Sequence, residues 1–201
     1  MEISGQRVRD PDRGERILRA AAELIAERGF QGVSLDDIGT AAGIVGSGVY
    51  RHFGSKSAIL VELFERVVDR LIDDAAGVLR QEIEADRQLG MLVDVQVQFT
   101  LSQRVLGRVY VQEEHNLPAL DRRRLRRKQR DYIDLWEDAL ARARPGLAPS
   151  DTHALVNIAV GAIHSALRFQ SDLDAGRGAP PKRAAHHPGH KNNNKKQNKT
   201  N

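Results

Sequence analysis

The side chains best equipped for chemistry crowd into residues 34 to 56, SLDDIGTAAGIVGSGVYRHFGSK. Ser34, Ser47, Tyr50, Arg51, His52 and Lys56 can all donate hydrogen bonds, and Arg51 and Lys56 add fixed positive charge. Such a set neutralises anions and contacts polar edges rather than making or breaking bonds. Catalytic arrangements are missing: there is no phosphate loop, nucleophile elbow or paired metal-ligand helix motif. Glu113, Glu114 and His115 are neighbours in sequence, so they do not converge from one helical face. With no cysteine, the chain has no disulfide framework, thiolate metal site or thiol nucleophile. No enzyme activity, cofactor or metal site is expected.

Two short helices must hold these donors. Ser34 suits an N-cap, Asp36 and Asp37 suit the positive end of the helix dipole, and Leu35, Ile38, Ala41 and Ala42 fall on one face. Gly43 ends that helix in a left-handed conformation and Ile44 buries the turn. The next helix begins near Val45, with Val49 and Phe53 inward and Gly46, Ser47, Tyr50 and Arg51 outward. Helix, glycine turn and second short helix are the pattern of a helix-turn-helix, and Ser55 then caps a third element. A purely structural helical hairpin is the bland competitor.

The remaining chain reads as helices. Asp10 and Pro11 start a first helix with Ile17, Leu18, Ala21, Leu24 and Ile25 inward, stopping at Gly29. A long fourth helix carries Ile59, Leu60, Leu63, Phe64, Val67, Leu71 and Ile72 and reaches about residue 80. Residues 93 to 101, VDVQVQFTL, alternate with period two, but a lone strand has no partner, so a central, mostly apolar helix from about 86 to 105 is expected instead. Further helices hold Val105, Leu106, Val109 and Tyr110, then Leu125, Tyr132, Ile133, Trp136 and Leu140 between about 119 and 143. The last, from about 151 to 172, has Leu155, Ile158, Ala162, Ile163, Ala166 and Phe169 inward.

The net charge of +4 is uneven: residues 175 to 201 hold seven Lys or Arg and no acid, which leaves 24 basic against 27 acidic groups elsewhere. Binding to a polyanion therefore has to come from local groups rather than from global charge. The first residues lack the apolar core of a signal peptide, and no run approaches the ~20 apolar residues of a membrane span. A soluble, cytoplasmic protein with no membrane partner is expected.

Ala42, Gly43, Val49, Tyr50, Arg51, Phe53, Ser55 and Lys56, preceded by a helix ending in Gly29 and Phe30, resemble the TetR/AcrR family of bacterial transcriptional regulators. The motif region covers residues 11 to 71. The resemblance implies an all-α protein: a flexible arm (1–10), a three-helix helix-turn-helix DNA-binding domain (11–71), a helical ligand-binding and dimerisation domain (72–174) and a disordered basic tail (175–201). Ser34, Tyr50, His52 and Lys56 would contact phosphates of a double-stranded operator, Lys56 beside the free amides of the fourth helix. Val45, Gly46, Ser47, Gly48 and Arg51 would read bases, because the family's third helix enters the major groove. Val45, Gly46 and Gly48 replace polar residues usual in the family. Two glycines cost about 1 kcal/mol each in a helix, which a close backbone approach to DNA would offset.

A repressor released from a pseudo-palindromic operator by a small effector is the expectation. Gln96, Phe99, Arg104, Tyr110, Trp136 and His164 are the candidate effector residues, offering apolar bulk or a polar group in apolar surroundings. A fatty-acyl or other lipid-derived CoA thioester is favoured over a neutral hydrophobic compound. A homodimer would pair through the helices at 119–143 and 151–172, with Gly161 allowing close packing, so Gly161→Glu should yield monomers. The alternative is an effector- or partner-binding module that kept the fold but binds DNA weakly. The run Arg122 to Arg130 reads as a solvated face or as a holder of ligand phosphates; Arg7 and Arg9 as a solvated arm rather than minor-groove readers. His186, His187 and His190 read as part of the disordered tail rather than as metal ligands.

Overall fold

The computed structural model describes residues 12–44 and 47–177, with side chains through residue 165. Arg7, Arg9, Val45, Gly46, His186, His187 and His190 lie outside the described residues. Every regular element described is helical, and no described helix is long and apolar enough to cross a membrane.

The chain begins with α1 (Arg13–Arg28), which buries Ile17, Leu18, Ala21 and Ile25. It ends at Gly29, whose φ of 73° is a conformation only glycine takes without steric cost. In α2 (Leu35–Ala41), Ser34 forms a capping box with Asp37. One detail differs from expectation: Ala41 is exposed, and Gly39 takes the inward place beside Ile38. Gly43, with φ 66°, then turns the chain and Ile44 is buried. In α3 (Gly48–His52), Val49 is buried. Ser55 caps α4 (Lys56–Leu79) by accepting the Ala58 N–H at 3.0 Å.

Beyond α4 come α5 (Ala85–Ser102), α6 (Arg104–Glu113), a 3-10 turn (Glu114–Asn116), α7 (Ala119–Ala143) and α8 (Pro149–Arg177). The alternating segment is helical, yet α5 is not apolar on most sides. Its buried line is Gln88, Leu92, Gln96 and Thr100, spaced by four, while Val93 and Leu101 face solvent. In α8 the first part of the expected inner face is likewise turned out: Thr152, Val156 and Val160 are buried, whereas Leu155 is 46% and Ile158 67% exposed; Ile163 is half-buried, and the side chains of Ala166 and Phe169 lie outside the described residues. That helix runs to Arg177, so the first three residues of the expected tail are helical.

Two hydrophobic clusters organise the packing. One, the head, joins α1 to α3 with the start of α4, and takes in Val109, Leu117 and Leu125 from later helices. The other, the body, gathers Val67, Leu71, Ala75, Leu92, Tyr132, Trp136, Val156 and Val160. The division expected near residue 71 falls inside α4, which both clusters share. Fully burying a side chain such as Phe64 (0% exposed) is worth about 1.5–3 kcal/mol, so α4 is anchored at both ends of its length.

Candidate functional site

The head presents α3 as its outward element. Ser47, Tyr50 and Arg51 share one face by their spacing of three and four, His52 lies beside them, and Tyr50 is 53% exposed. Val49 and Phe53 fix the helix from below: Val49 is buried and Phe53 half-buried against the head core.

Gly48 does not belong to that surface. It is buried, and a Cβ at this position would stand 2.5 Å from Ile44 Cγ2. Glycine is needed there because α3 packs directly on the turn residue, not because a bare edge faces outward.

Lys56 departs from expectation too. Its ammonium donates to the carbonyls of Phe30 at 2.5 Å and Val33 at 2.6 Å, and lies 4.3 Å from the Phe30 ring centroid. The charge is committed to closing the α1–α2 loop onto α4, rather than left free beside the α4 amides. Ser34 is similarly engaged: its hydroxyl donates to Asp37 Oδ2 at 2.5 Å and accepts the Asp37 N–H at 3.0 Å. Hydrogen bonding from the Ser34 side chain and then its backbone N–H holds the Asp37 carboxyl below its ordinary pKa of 3.8. Among the expected contact residues, the open donors are therefore Tyr50, Arg51, His52 and Ser47, all on or at the start of α3.

A second site lies in the body, where α4 to α8 enclose a cavity of about 340 Å³. Val67, Leu71, Phe99 and Val160 supply apolar wall; Thr100, Tyr110, Gln129, Tyr132, Asn157 and His164 supply polar atoms. Among the described residues, none that lines the cavity is Asp, Glu, Lys or Arg. Of the six expected residues, Phe99, Tyr110 and His164 line the cavity. Gln96 is buried against it, accepting from the Tyr132 hydroxyl and approaching His164 Nε2 at 3.2 Å and Thr100 Oγ1 at 3.4 Å. Two residues do not take part. Trp136 is buried edge-on against Tyr132, ring centroids 6.3 Å apart, and lines no part of the cavity. Arg104 is exposed at the first position of α6 and borders a different hollow, between α1 and α6, because the chain leaves the helix at Gln103.

Burial sets the titration of the cavity groups. It pushes the Tyr110 hydroxyl up to about 12, raises that of Tyr132 as well, and lowers the His164 imidazole, which is thereby kept neutral. Thr100, Gln129 and Tyr132 were not expected here. Nothing local marks them, since each becomes a wall residue only when helices distant in sequence meet.

The cavity and the head share α6. Gly107, Tyr110 and Val111 face the cavity, while Val109 is buried in the head cluster. The Tyr110 ring lies 4.9 Å from that of Phe64. Arg108 donates to the Ala26 carbonyl at 3.2 Å, and Gln31 donates to Asn116, which donates in turn to the buried Glu113 at 2.6 Å.

Three of the seven cations between Arg122 and Arg130 are paired with acids. Arg124 pairs with Glu65 and Asp121, Arg126 with Glu114 and Lys128 with Asp69, tying α7 to α4 and the 3-10 turn. None of the run lines the cavity.

Comparison with known proteins gives a consistent set of likenesses. Residues 17–63 match the family model for bacterial regulatory proteins of the tetR family, and residues 82–168 match a tetracyclin repressor-like C-terminal domain; together they cover more than half of the chain. The transcriptional repressor KstR2 of Rhodococcus jostii is 28% identical over 62% of this chain and 61% of its own length, so the chain spans less than two thirds of that relative. A TetR-family regulator from Bordetella parapertussis superposes with a TM-score of 0.73 at 26% identity, covering 80% of this chain and 84% of that one. The structure of AibR in complex with isovaleryl coenzyme A and operator DNA superposes with a TM-score of 0.67 at 20% identity, over 78% of this chain and 86% of AibR.

Proposed function

Because the chain belongs to the tetR family of bacterial regulatory proteins, we propose that it is a homodimeric transcriptional repressor that leaves its operator when a small hydrophobic or acyl-CoA-type effector enters the body cavity. The observation that carries this reading is the position of Tyr110, which lines the cavity while its ring packs on Phe64 of the head core. An effector that displaces Tyr110 acts on the head without any further relay. Because α6 also holds Ala26 through Arg108, a shift of α6 moves the end of α1 and with it the angle at which α3 is presented.

On DNA, Tyr50 and His52 contact phosphates, and Ser47 and Arg51 reach base edges; Ser34, bonded to Asp37, holds the start of α2 instead. Lys56 supports them by fixing the loop at Phe30 and Val33 rather than by leading the contact. One five-residue helix reads little sequence alone. A twofold dimer sets two such helices about 34–36 Å apart, in successive major grooves. The exposed Leu155 and Ile158 of α8, with Ala159, Gly161 and Ala162 beside them, suit a dimer face, and a Cβ on Gly161 meets nothing within 4 Å. Ile158→Glu is expected to give monomers in light scattering.

The rival reading, a partner-binding module with weak DNA binding, drew on Gly46 and Gly48. Packing against Ile44 accounts for Gly48 and removes that part of its motive. The discriminating experiment is retardation of promoter DNA against scrambled DNA at physiological salt, with Arg51→Ala relaxing the preference. Equal binding to both DNAs by the wild type overturns the repressor reading.

A further inference from the structure

We propose that the body cavity recognises an uncharged carbonyl at the end of an apolar body, through two hydrogen-bond donors, the Tyr110 hydroxyl and His164 Nδ1. The inference rests on the reading of this cavity as the effector site and specifies what it accepts.

The donors follow from the hydrogen-bond chain around the cavity. Gln129 Nε2 donates to the Tyr110 hydroxyl. That bond uses a lone pair of the oxygen and leaves the hydroxyl's own proton, for which no acceptor stands among the described residues. The second donor is fixed by Gln96. Its Oε1 accepts from the Tyr132 hydroxyl, so its amide nitrogen is the atom 3.2 Å from His164 Nε2. An amide nitrogen only donates, so Nε2 must be the bare, accepting nitrogen of the ring, and the proton of the neutral imidazole sits on Nδ1. A protonated ring would set two donors against each other at that contact. His164 Nδ1 likewise has no acceptor among the described residues. Two donors in one cavity, both without acceptors, call for an oxygen with lone pairs and no proton of its own to place.

Charge and size restrict that oxygen further. An ionised carboxylate or phosphate buried here would meet no lysine or arginine among the described residues of the wall to compensate its lost hydration. The cations of the Arg122 to Arg130 run do not line the cavity, and three of them, Arg124, Arg126 and Lys128, pair with Glu65, Glu114 and Asp69. A volume of about 340 Å³ is near the lower end of the usual range for small-molecule sites, about 300–1,000 Å³. It holds a ketone or ester whole, or the acyl end of a thioester whose nucleotide stays outside. The shared chemistry is the uncharged carbonyl, and the experiment distinguishes its sources.

The test is titration of the full-length protein with methyl hexyl ketone, octanoate and octanoyl-CoA, followed by the fluorescence of Trp136, the single tryptophan of the chain, which packs on Tyr132. Release of labelled operator DNA is followed in parallel. The ketone is expected to bind at least about tenfold more tightly than octanoate. Tyr110→Phe should weaken the ketone by about tenfold, the usual worth of one neutral hydrogen bond. Infrared spectra keep the test independent of how well the variant folds: the ketone carbonyl stretch should move to lower frequency in the wild type and move back in part in either Tyr110→Phe or His164→Leu. Tight octanoyl-CoA binding that Tyr110→Phe also weakens supports the inference with a thioester as the source; ketone binding without it supports a free carbonyl compound. Octanoate binding as tightly as the ketone, an unmoved carbonyl stretch, or no binding of any probe overturns the proposal. Ketone binding that leaves the operator bound upholds the carbonyl preference while overturning the effector-site reading. Release by octanoate as readily as by the ketone does the reverse.

Discussion

The head uses its polar side chains to begin and end helices, whereas the body buries them at its centre. Ser34 with Asp37 and Ser55 with Ala58 close bonds within three residues of chain. Gln96 meets Tyr132 and His164 across 36 and 68 residues. Local bonds make a small, repeatable unit with one shape and a free outer face on α3. Bonds that exist only when α5, α7 and α8 converge make a wall that a bound molecule can rearrange, since each partner is held by a different helix. The two regions thus divide the labour of reading and responding.

The largest effect should come where the regions meet. Phe64→Ala removes a fully buried ring that supports both the head core and Tyr110, and is expected to destabilise the protein by about 3–5 kcal/mol in urea unfolding. A single transition is expected, because Val109, Leu117 and Leu125 of the later helices complete the head core. Two separate transitions would mean that head and body are independent units.

Within the head, Lys56→Met should cost about 2 kcal/mol through loss of two charge-assisted bonds to carbonyls. A change in DNA affinity with unaltered stability would return Lys56 to the role of a free phosphate contact. Gly48→Ala should destabilise by about 1–2 kcal/mol, because the added methyl meets Ile44 Cγ2, and Ile44→Ala in the same chain should recover part of that loss. Were Gly48 instead an open helical position, alanine would stabilise by about 0.5–1 kcal/mol, so the sign decides.

The smallest effect belongs to the body and to pH. The His164 pKa is lowered on folding below its ordinary 6.5 by burial, so between the folded value and 6.5 the unfolded chain binds more protons. Stability from this group is fully present above pH 6.5 and is lost as pH falls through the folded value. Tyr110 and Tyr132 are pushed upward, away from this range, and among the described residues no charged one lines the cavity to oppose the trend. Thermal melts between pH 7.5 and 5 should fall less steeply in His164→Gln, about the pH where imidazole ordinarily titrates; equal slopes would remove His164 from the account.

The same contrast explains what the sequence made legible. Ser34, Gly43, Ser55 and the spacing of Val49 and Phe53 mark caps, a turn and a core face from a few neighbours each, so the head could be read almost residue by residue. Gly48 and Lys56 were misplaced because their partners, Ile44 and the carbonyls of Phe30 and Val33, are matters of packing rather than of type and spacing. In the body, helix positions were legible but faces were not. Gln88, Gln96 and Thr100 are polar and buried, and Leu155 and Ile158 apolar and exposed, which inverts the pattern that reveals an amphipathic helix. Tyr110 and His164 could be chosen as polar groups in apolar stretches; Tyr132 and Thr100 needed the fold.

The most direct test of the account is the binding of full-length protein to its own promoter DNA and to a scrambled duplex, measured by fluorescence anisotropy at physiological salt, with Arg51→Ala alongside. Promoter binding about a thousandfold or more tighter than scrambled binding is expected, and the Arg51→Ala protein should keep its stability within about 0.5 kcal/mol but lose much of that ratio. Equal affinity of the wild type for both duplexes would contradict that expectation.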